Sequence, residues 1–330
     1  MLSSPLIFLK YKPLIKLKSV SVFLLSLIFL NSISAQDSLY HAKNFVGYKA
    51  IVSGEDGFIA VGSDGRVDRI STTGTIVKSE KINGESFNSV LFDSKKIIVA
   101  GTNGTMLISS NNETFQRIKS SSDNNINSLV LFKGIVIAGA DNGEILQDNG
   151  NGLFSKNYPP VKGNIVSLSA RDSDCFGATN EGEIIHSKDG LNWDVFDFNE
   201  VYAGYYKPCQ FTKILATDMQ IAVAGVHEDG SPVLMFSSQG NVWSERILNY
   251  TDDQGMQSVL TDSLNDIIYD NQGDLFFLAC NKGKVMKIPS CSHCNKLYQY
   301  STENITGLSG LKNTLMIVGE NFFVKVINPE

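Results

Sequence analysis

The stretch Ile59-Ala60-Val61-Gly62-Ser63-Asp64-Gly65 decides the fold, because the chain keeps returning to it. Ile98-Val99-Ala100-Gly101-Thr102-Asn103-Gly104 and Ile137-Ala138-Gly139-Ala140-Asp141-Asn142-Gly143 have the same form: an apolar run stopped by Asn-Gly or Asp-Gly. Phe176-Gly177-Ala178-Thr179-Asn180-Glu181-Gly182 follows, then Ala222-Val223-Ala224-Gly225 leading to Gly230. The last copies are Phe277-Leu278-Ala279-Cys280-Asn281-Lys282-Gly283 and Ile317-Val318-Gly319-Glu320-Asn321-Phe322. The closing glycines at 65, 104, 143 and 182 stand 39 residues apart, the next steps are 48 and 53, and the step to Phe322 is 39 again. A tight hairpin needs positive φ, which glycine adopts without steric cost. A period near 40 built from β-branched runs and such turns is the pattern of a propeller blade.

Each unit reads as four short strands. In the third they are Asn127 to Phe132, Ile135 to Ala140, Glu144 to Gln147 and Phe154 to Tyr158. No segment has a helical period, which disfavours helical solenoids. Seven copies make seven blades, but the last stops eight residues past Phe322, without room for a fourth strand. Ser38 to Phe45, ahead of the first unit's own first strand, is expected to supply it. The expected fold is therefore all-β: a seven-bladed β-propeller of four-stranded blades over residues 36–330, closed by an N-terminal strand that completes the last blade. Closure removes a free sheet edge, and a monomer is expected.

Residues 1–35 read as a signal peptide. Lys10, Lys12, Lys16 and Lys18 precede an apolar run from Ser19 to Leu30, and Asn31 to Ala35 follows it. The run is short for a membrane span, which takes roughly 20 apolar residues. Cleavage is expected after Ala35, which places the product outside the cytoplasm, secreted or periplasmic, with no stable membrane insertion. The formal charge of the chain is -6, and losing four Lys makes it about -10. That acidity argues against nucleic acid as a partner.

A large apolar residue lies eleven positions after each of the first four closing glycines: Ile76, Phe115, Phe154 and Trp193; Trp243 plays this part in the fifth unit. Ser187-Lys188-Asp189-Gly190-Leu191-Asn192-Trp193 resembles the Asp-box hairpin S-x-D-x-G-x-x-W, one residue short. Over about residues 45–330 the chain resembles the Asp-box (BNR-repeat) propellers, in particular the photosystem II assembly factor-like ones. The resemblance implies a sialidase-like propeller fold and an assembly-type binding role. It also implies that Asp189 is a folding element, on the face away from the ligand site.

The repeat is broken around the fifth unit. One surplus is residues 199–210, with Tyr202, Tyr205, Tyr206 and Lys207; the other is residues 248–257, with Tyr250, Asp252 and Asp253. The fifth unit's own turn, with His227, Glu228 and Asp229, is also extended. All three are expected to cluster on one rim, since these connection types open on one face of a propeller. Tyrosines on such loops suit recognition, each pairing apolar area with a hydroxyl. A protein or a glycan is the expected partner, although Tyr202 and Tyr205 could instead plug the loop onto the blades. The acidic residues lack EF-hand spacing, so no metal or other cofactor is expected.

Export permits disulfides. Cys291 and Cys294 form a C-x-x-C where sister blades carry the Asp-box turn, and a local disulfide is the expected reading. Cys209 and Cys280 are expected to pair, leaving Cys175 a buried thiol. A sialidase needs an Arg triad, but the five Arg (66, 69, 117, 171, 246) do not begin inner strands in this register. The expectation is a non-catalytic binding module. The alternative is a carbohydrate-active hydrolase or lyase using rim carboxylates such as Glu200, Glu228, Asp229 or Asp252.

Overall fold

The second strand of each unit is apolar on both faces, and the fold follows from that. Lys96–Gly101 is buried at every position but its first, whereas the outer strand Ile76–Lys81 is exposed along nearly its whole length. A strand apolar on both sides needs cover on both sides. Here the neighbouring blades provide it. In the computed structural model the described residues are 45–82, 84–110, 114–150, 152–252, 255–289 and 295–327. They form seven antiparallel blades in a ring. Six have four strands in sequence order, and the seventh, Ile305–Leu311, Thr314–Gly319 and Val324–Ile327, shows three among the described residues. The core lies in the clefts between blades; Ala222, Ala224 and Leu234 of blade five, for example, pack on Leu264, Phe276 and Leu278 of blade six.

The repeated glycine closes the turn between a blade's second and third strands. Asp64 and Gly65 both have positive φ (59° and 66°), as do Asn103 and Gly104. Phe322 occupies the glycine position of blade seven at φ 57°. Its ring lies edge-on to Tyr48 of blade one, with the Arg66 guanidinium 4.3 Å above it.

Each inner strand carries a bulge, at its second residue in six blades and its fourth in blade five, and in all but blade four the bulged residue is polar and reaches the next blade. Asn88 donates to the Ile126 carbonyl (3.1 Å), Asn127 to that of Ile165 (3.1 Å), Thr212 to Leu264 (3.0 Å) and Asn265 to Ile305 (2.8 Å). Thr306 donates to the Tyr48 carbonyl and so joins blade seven to blade one. The residue after the bulge serves the opposite polarity. Ser89, Ser128 and Ser167 accept the amide protons of Leu129, Leu168 and Ile214, each on the following blade. The inner edge of a sheet exposes unpaired backbone groups. Here they are satisfied across the blade junctions.

Most of the expected closing strand, Ser38 to Asn44, lies outside the described residues, as does the 1–35 segment. The backbone that follows is described. Val46 accepts the Asn321 amide proton (2.9 Å) and Gly47 that of Ser63 (3.0 Å). The second contact repeats one made by every connection from an outer strand into the next blade, such as Thr102 to Ser86 and Asp141 to Asn125.

Candidate functional site

The first insertion folds on an aromatic stack. Asp197 caps a single helical turn, α1 (Phe198–Val201), accepting the Glu200 amide proton at 3.0 Å. Phe198 is buried, and Tyr202, Tyr206 and Phe211 surround it at ring separations of 4.8, 5.7 and 5.8 Å. The Tyr202 hydroxyl accepts the Trp243 amide proton (2.9 Å), tying the loop to blade five. Asn199 exchanges hydrogen bonds with the Cys209 backbone, donating at 3.0 Å and accepting at 2.9 Å. Tyr202 and Tyr206 are thus anchors, whereas Tyr205 points outward, 86% exposed.

The extended turn of blade five lies against this loop. Lys207 pairs with Asp229, which also accepts from the Ser231 amide (3.0 Å) and hydroxyl (2.6 Å). These donors hold the Asp229 carboxyl well below its usual range, and the carboxylate raises Lys207 in turn. The Glu228 amide donates to Pro208, and Glu228 itself is exposed. His227 is buried, with Nδ1 against the Lys207 carbonyl (3.2 Å) and Nε2 against Glu245 (3.1 Å). Tyr205, Lys207, Glu228 and Asp229 therefore belong to one surface.

The second insertion docks elsewhere. It forms a hairpin, Asn249–Thr251 with Gln257–Val259, whose turn is held by Asp252 accepting the Met256 amide proton at 2.8 Å. Leu248 and Leu260 at its base are buried between blades five and six, and Tyr250 packs against them. Asn295 donates to Asn249 (2.7 Å) and Arg246 to Pro289 (3.0 Å). Pro289 and Asn295 flank the third-to-fourth-strand turn of blade six, so Tyr250 and Asp252 sit on blade six and not on the first insertion. Asp253 lies outside the described residues. Among the described residues no group of three or more His, Cys, Asp or Glu could hold a metal ion.

The expected Cys209–Cys280 pair is not formed. Both thiols are free, as is Cys175. Cys209 opens the inner strand of blade five in the core shared with blade four; Cys280 closes the second strand of blade six in a different core. Burial pushes all three thiols up to about 12. Cys291 and Cys294 lie outside the described residues.

At the opposite end of the blades, Asp189 works as a turn element. Its carboxylate accepts the amide protons of Leu191 and Asn192, both at 2.8 Å, and these bonds hold its pKa far below the usual value. Trp193 Nε1 donates to Gly190 (3.2 Å), and Trp243 repeats the bond to Gly240 (3.1 Å). On this face the central channel opens as a cavity of about 810 Å³, walled by blades one, four, five, six and seven. Lys213 of blade five lines it, pairing at 3.0 Å with Asp266 of blade six. Arg171 stands at the mouth and contacts Asp174 (3.1 Å), which also receives His186 (2.7 Å). Sequence reasoning passed over Lys213 and Asp266. The available signal was their place after the bulge, where three other blades carry serine.

With this geometry in hand, solved structures identify the architecture. The WD40 β-propeller domain of Doa1 superposes with a TM-score of 0.65 at 12% identity, covering 86% of this chain and 93% of that one. The computationally designed Ika8 protein gives 0.60, also at 12% identity, covering 86% and 96%. This chain has the seven-bladed β-propeller fold. No protein-family model matches it, and no curated protein does so by sequence.

Proposed function

We propose that this chain is an exported, non-catalytic propeller that recognises a protein partner through the blade-five rim. The observation that carries the reading is Tyr205, almost fully exposed on a loop whose other aromatics are locked into the blade. An exposed tyrosine on a rigid base offers contact area at small entropic cost, and tyrosine is enriched among residues that dominate interface energetics. Lys207, Glu228 and Asp229 give the surrounding polar rim. Two of the carboxylates there already have partners: Asp229 holds Lys207 and Ser231, and Glu245 meets His227. That supports recognition over hydrolysis. The Asp189 hairpin supports kinship with Asp-box assembly propellers, and the basic, apolar N-terminal segment supports export to the periplasm or beyond.

The test is affinity capture from the native cell envelope with wild type, Tyr205→Phe and Tyr205→Ala. The expected result is a partner set retained by wild type and Tyr205→Phe and depleted at least tenfold by Tyr205→Ala. Tyr206 is left intact because it belongs to the anchor. If Tyr205→Ala keeps the same partners at the same yield, the blade-five rim is not the recognition surface.

A further inference from the structure

We propose that the cavity on the opposite face is a second site, for a neutral oligosaccharide. The argument starts from the position after the bulge in each inner strand. Its occupants around the ring are Ala50, Ser89, Ser128, Ser167, Lys213, Asp266 and Gly307. Three serines, and Asp266 toward Leu308 (2.8 Å), cap an amide of the next blade. Lysine has no acceptor and cannot do this. The amide that Lys213 would cap, Ile267, is held instead by its own neighbour Asp266 at 3.0 Å. Folding alone is served by serine at this position. Blades one and seven, with Ala50 and Gly307, also lack the junction bond, but blade five alone places an ammonium group in the channel wall.

What that ammonium can hold follows from its surroundings. Asp266 takes one of its three protons and neutralises its charge. The side chain is still 38% exposed, so donors remain available to the cavity. Asp266 is already engaged by Lys213, Leu308 and Ile267. The cavity thus presents donors, and its lining charges, three cations against four carboxylates, come close to cancelling. Its mouth adds both polarities, Arg171 and Lys312 against Asp172, Asp218 and Asp270, while Leu215 and Ile268 give apolar wall. A sugar matches this set, because each hydroxyl both donates and accepts and the C–H faces of the ring suit aliphatic side chains. The volume of about 810 Å³ is within the range of small-ligand sites, about 300–1,000 Å³.

The test is isothermal titration of the full mature chain with neutral trisaccharides (maltotriose, cellotriose, chitotriose). A galacturonic acid trimer and a blocked tetrapeptide serve as contrasting probes. Lys213→Ser installs the residue that three sister blades carry and is expected to fold. Gly310→Leu adds bulk to the cavity at a position where a Cβ meets nothing within 4 Å, without touching a charge. The expected result is saturable binding of at least one neutral trisaccharide, weakened tenfold or more by either variant and unchanged by Tyr205→Ala. Indifference to Tyr205→Ala separates this site from the blade-five rim, so either proposal can fail alone. Absence of binding by all three sugars overturns the proposal. So does preference for the acidic trimer or the peptide, or binding that survives both cavity variants.

Discussion

Ser128→Ala is the sharpest test of how the ring is held. Ser128 is buried at the junction of blades three and four, and its hydroxyl accepts the Leu168 amide proton at 2.9 Å. Leu168 lies on an inner edge strand and is itself buried, so no solvent replaces the lost acceptor. Removing one partner of a buried hydrogen bond costs the desolvation of the other, about 1–3 kcal/mol. Unfolding entropy near 2.1 cal/mol/K per residue makes that a fall in Tm of about 2–5 °C for a chain of this size. Ser94→Ala is the control. That hydroxyl meets Asp93 on an exposed turn and should shift stability by less than about 0.5 kcal/mol. Ser89→Ala removes the equivalent bond one junction earlier, and the double variant should show roughly the sum of the two losses. Chemical and thermal denaturation of the four proteins measure this directly. If Ser128→Ala matches Ser94→Ala, the inter-blade bonds carry no net stability and the account of the junctions is wrong.

Three further outcomes are expected. Burial opposes ionisation of Asp174, but Ser173, His186 and Arg171 outweigh it and hold the carboxyl at about 2. A depressed carboxyl contributes stability that is present above its unfolded value near 3.9 and is lost as pH falls toward 2, so Asp174→Asn should flatten the acid limb of a Tm–pH profile. The three buried thiols should resist an aromatic disulfide reagent in the native protein; unreduced, denatured chain should then yield three reactive thiols and reduced chain five, since Cys291 and Cys294 are expected to be joined. Five without reduction would refute the hairpin disulfide. Tyr202→Phe removes the acceptor for the Trp243 amide and should cost about 1–3 kcal/mol, read by urea denaturation, while Tyr205→Phe should cost nothing measurable.

The blades were legible because their punctuation is local. Asp64-Gly65 and Asn103-Gly104 sit at positive φ, and few residue types accept that, so the turn writes itself into the sequence at each period. The junctions were not legible, because each bond joins residues about forty positions apart and the donors vary in type. Asn88 and Asn127 match, but Thr212 and Thr306 do the same work with a different group. The Cys209–Cys280 expectation failed for a related reason. Both cysteines fall near the same rim in the repeat register, yet a disulfide needs Cα atoms within about 7 Å, and these two face separate inter-blade cores. The roles of the tyrosines were half legible. Tyr202, Tyr205 and Tyr206 look alike in the sequence, and only the folded loop, which turns at Gly204 with φ 84°, stacks Tyr202 and Tyr206 on Phe198 and leaves Tyr205 outside.

A propeller carries its own comparison set. Any position in one blade can be judged against six others that solve the same folding problem, so a departure that forfeits a bond its sisters make and installs a charged group in its place, as Ala50 and Gly307 do not, points to a use other than folding. Phe322 meets this test only in part: it takes the glycine position at positive φ, but its ring packs on Tyr48 and Arg66 and seals blade seven to blade one. Tyr202 and Tyr206 do not meet it, because their rings fill the core of blade five. Lys213 does, and Tyr205 stands in an insertion that has no counterpart in the sister blades. Tyr205 covers nothing in the blade, and Lys213 stands where serine would cap the next strand. They lie on opposite faces of the same blade, and that places the exceptional chemistry of the chain in blade five at both ends.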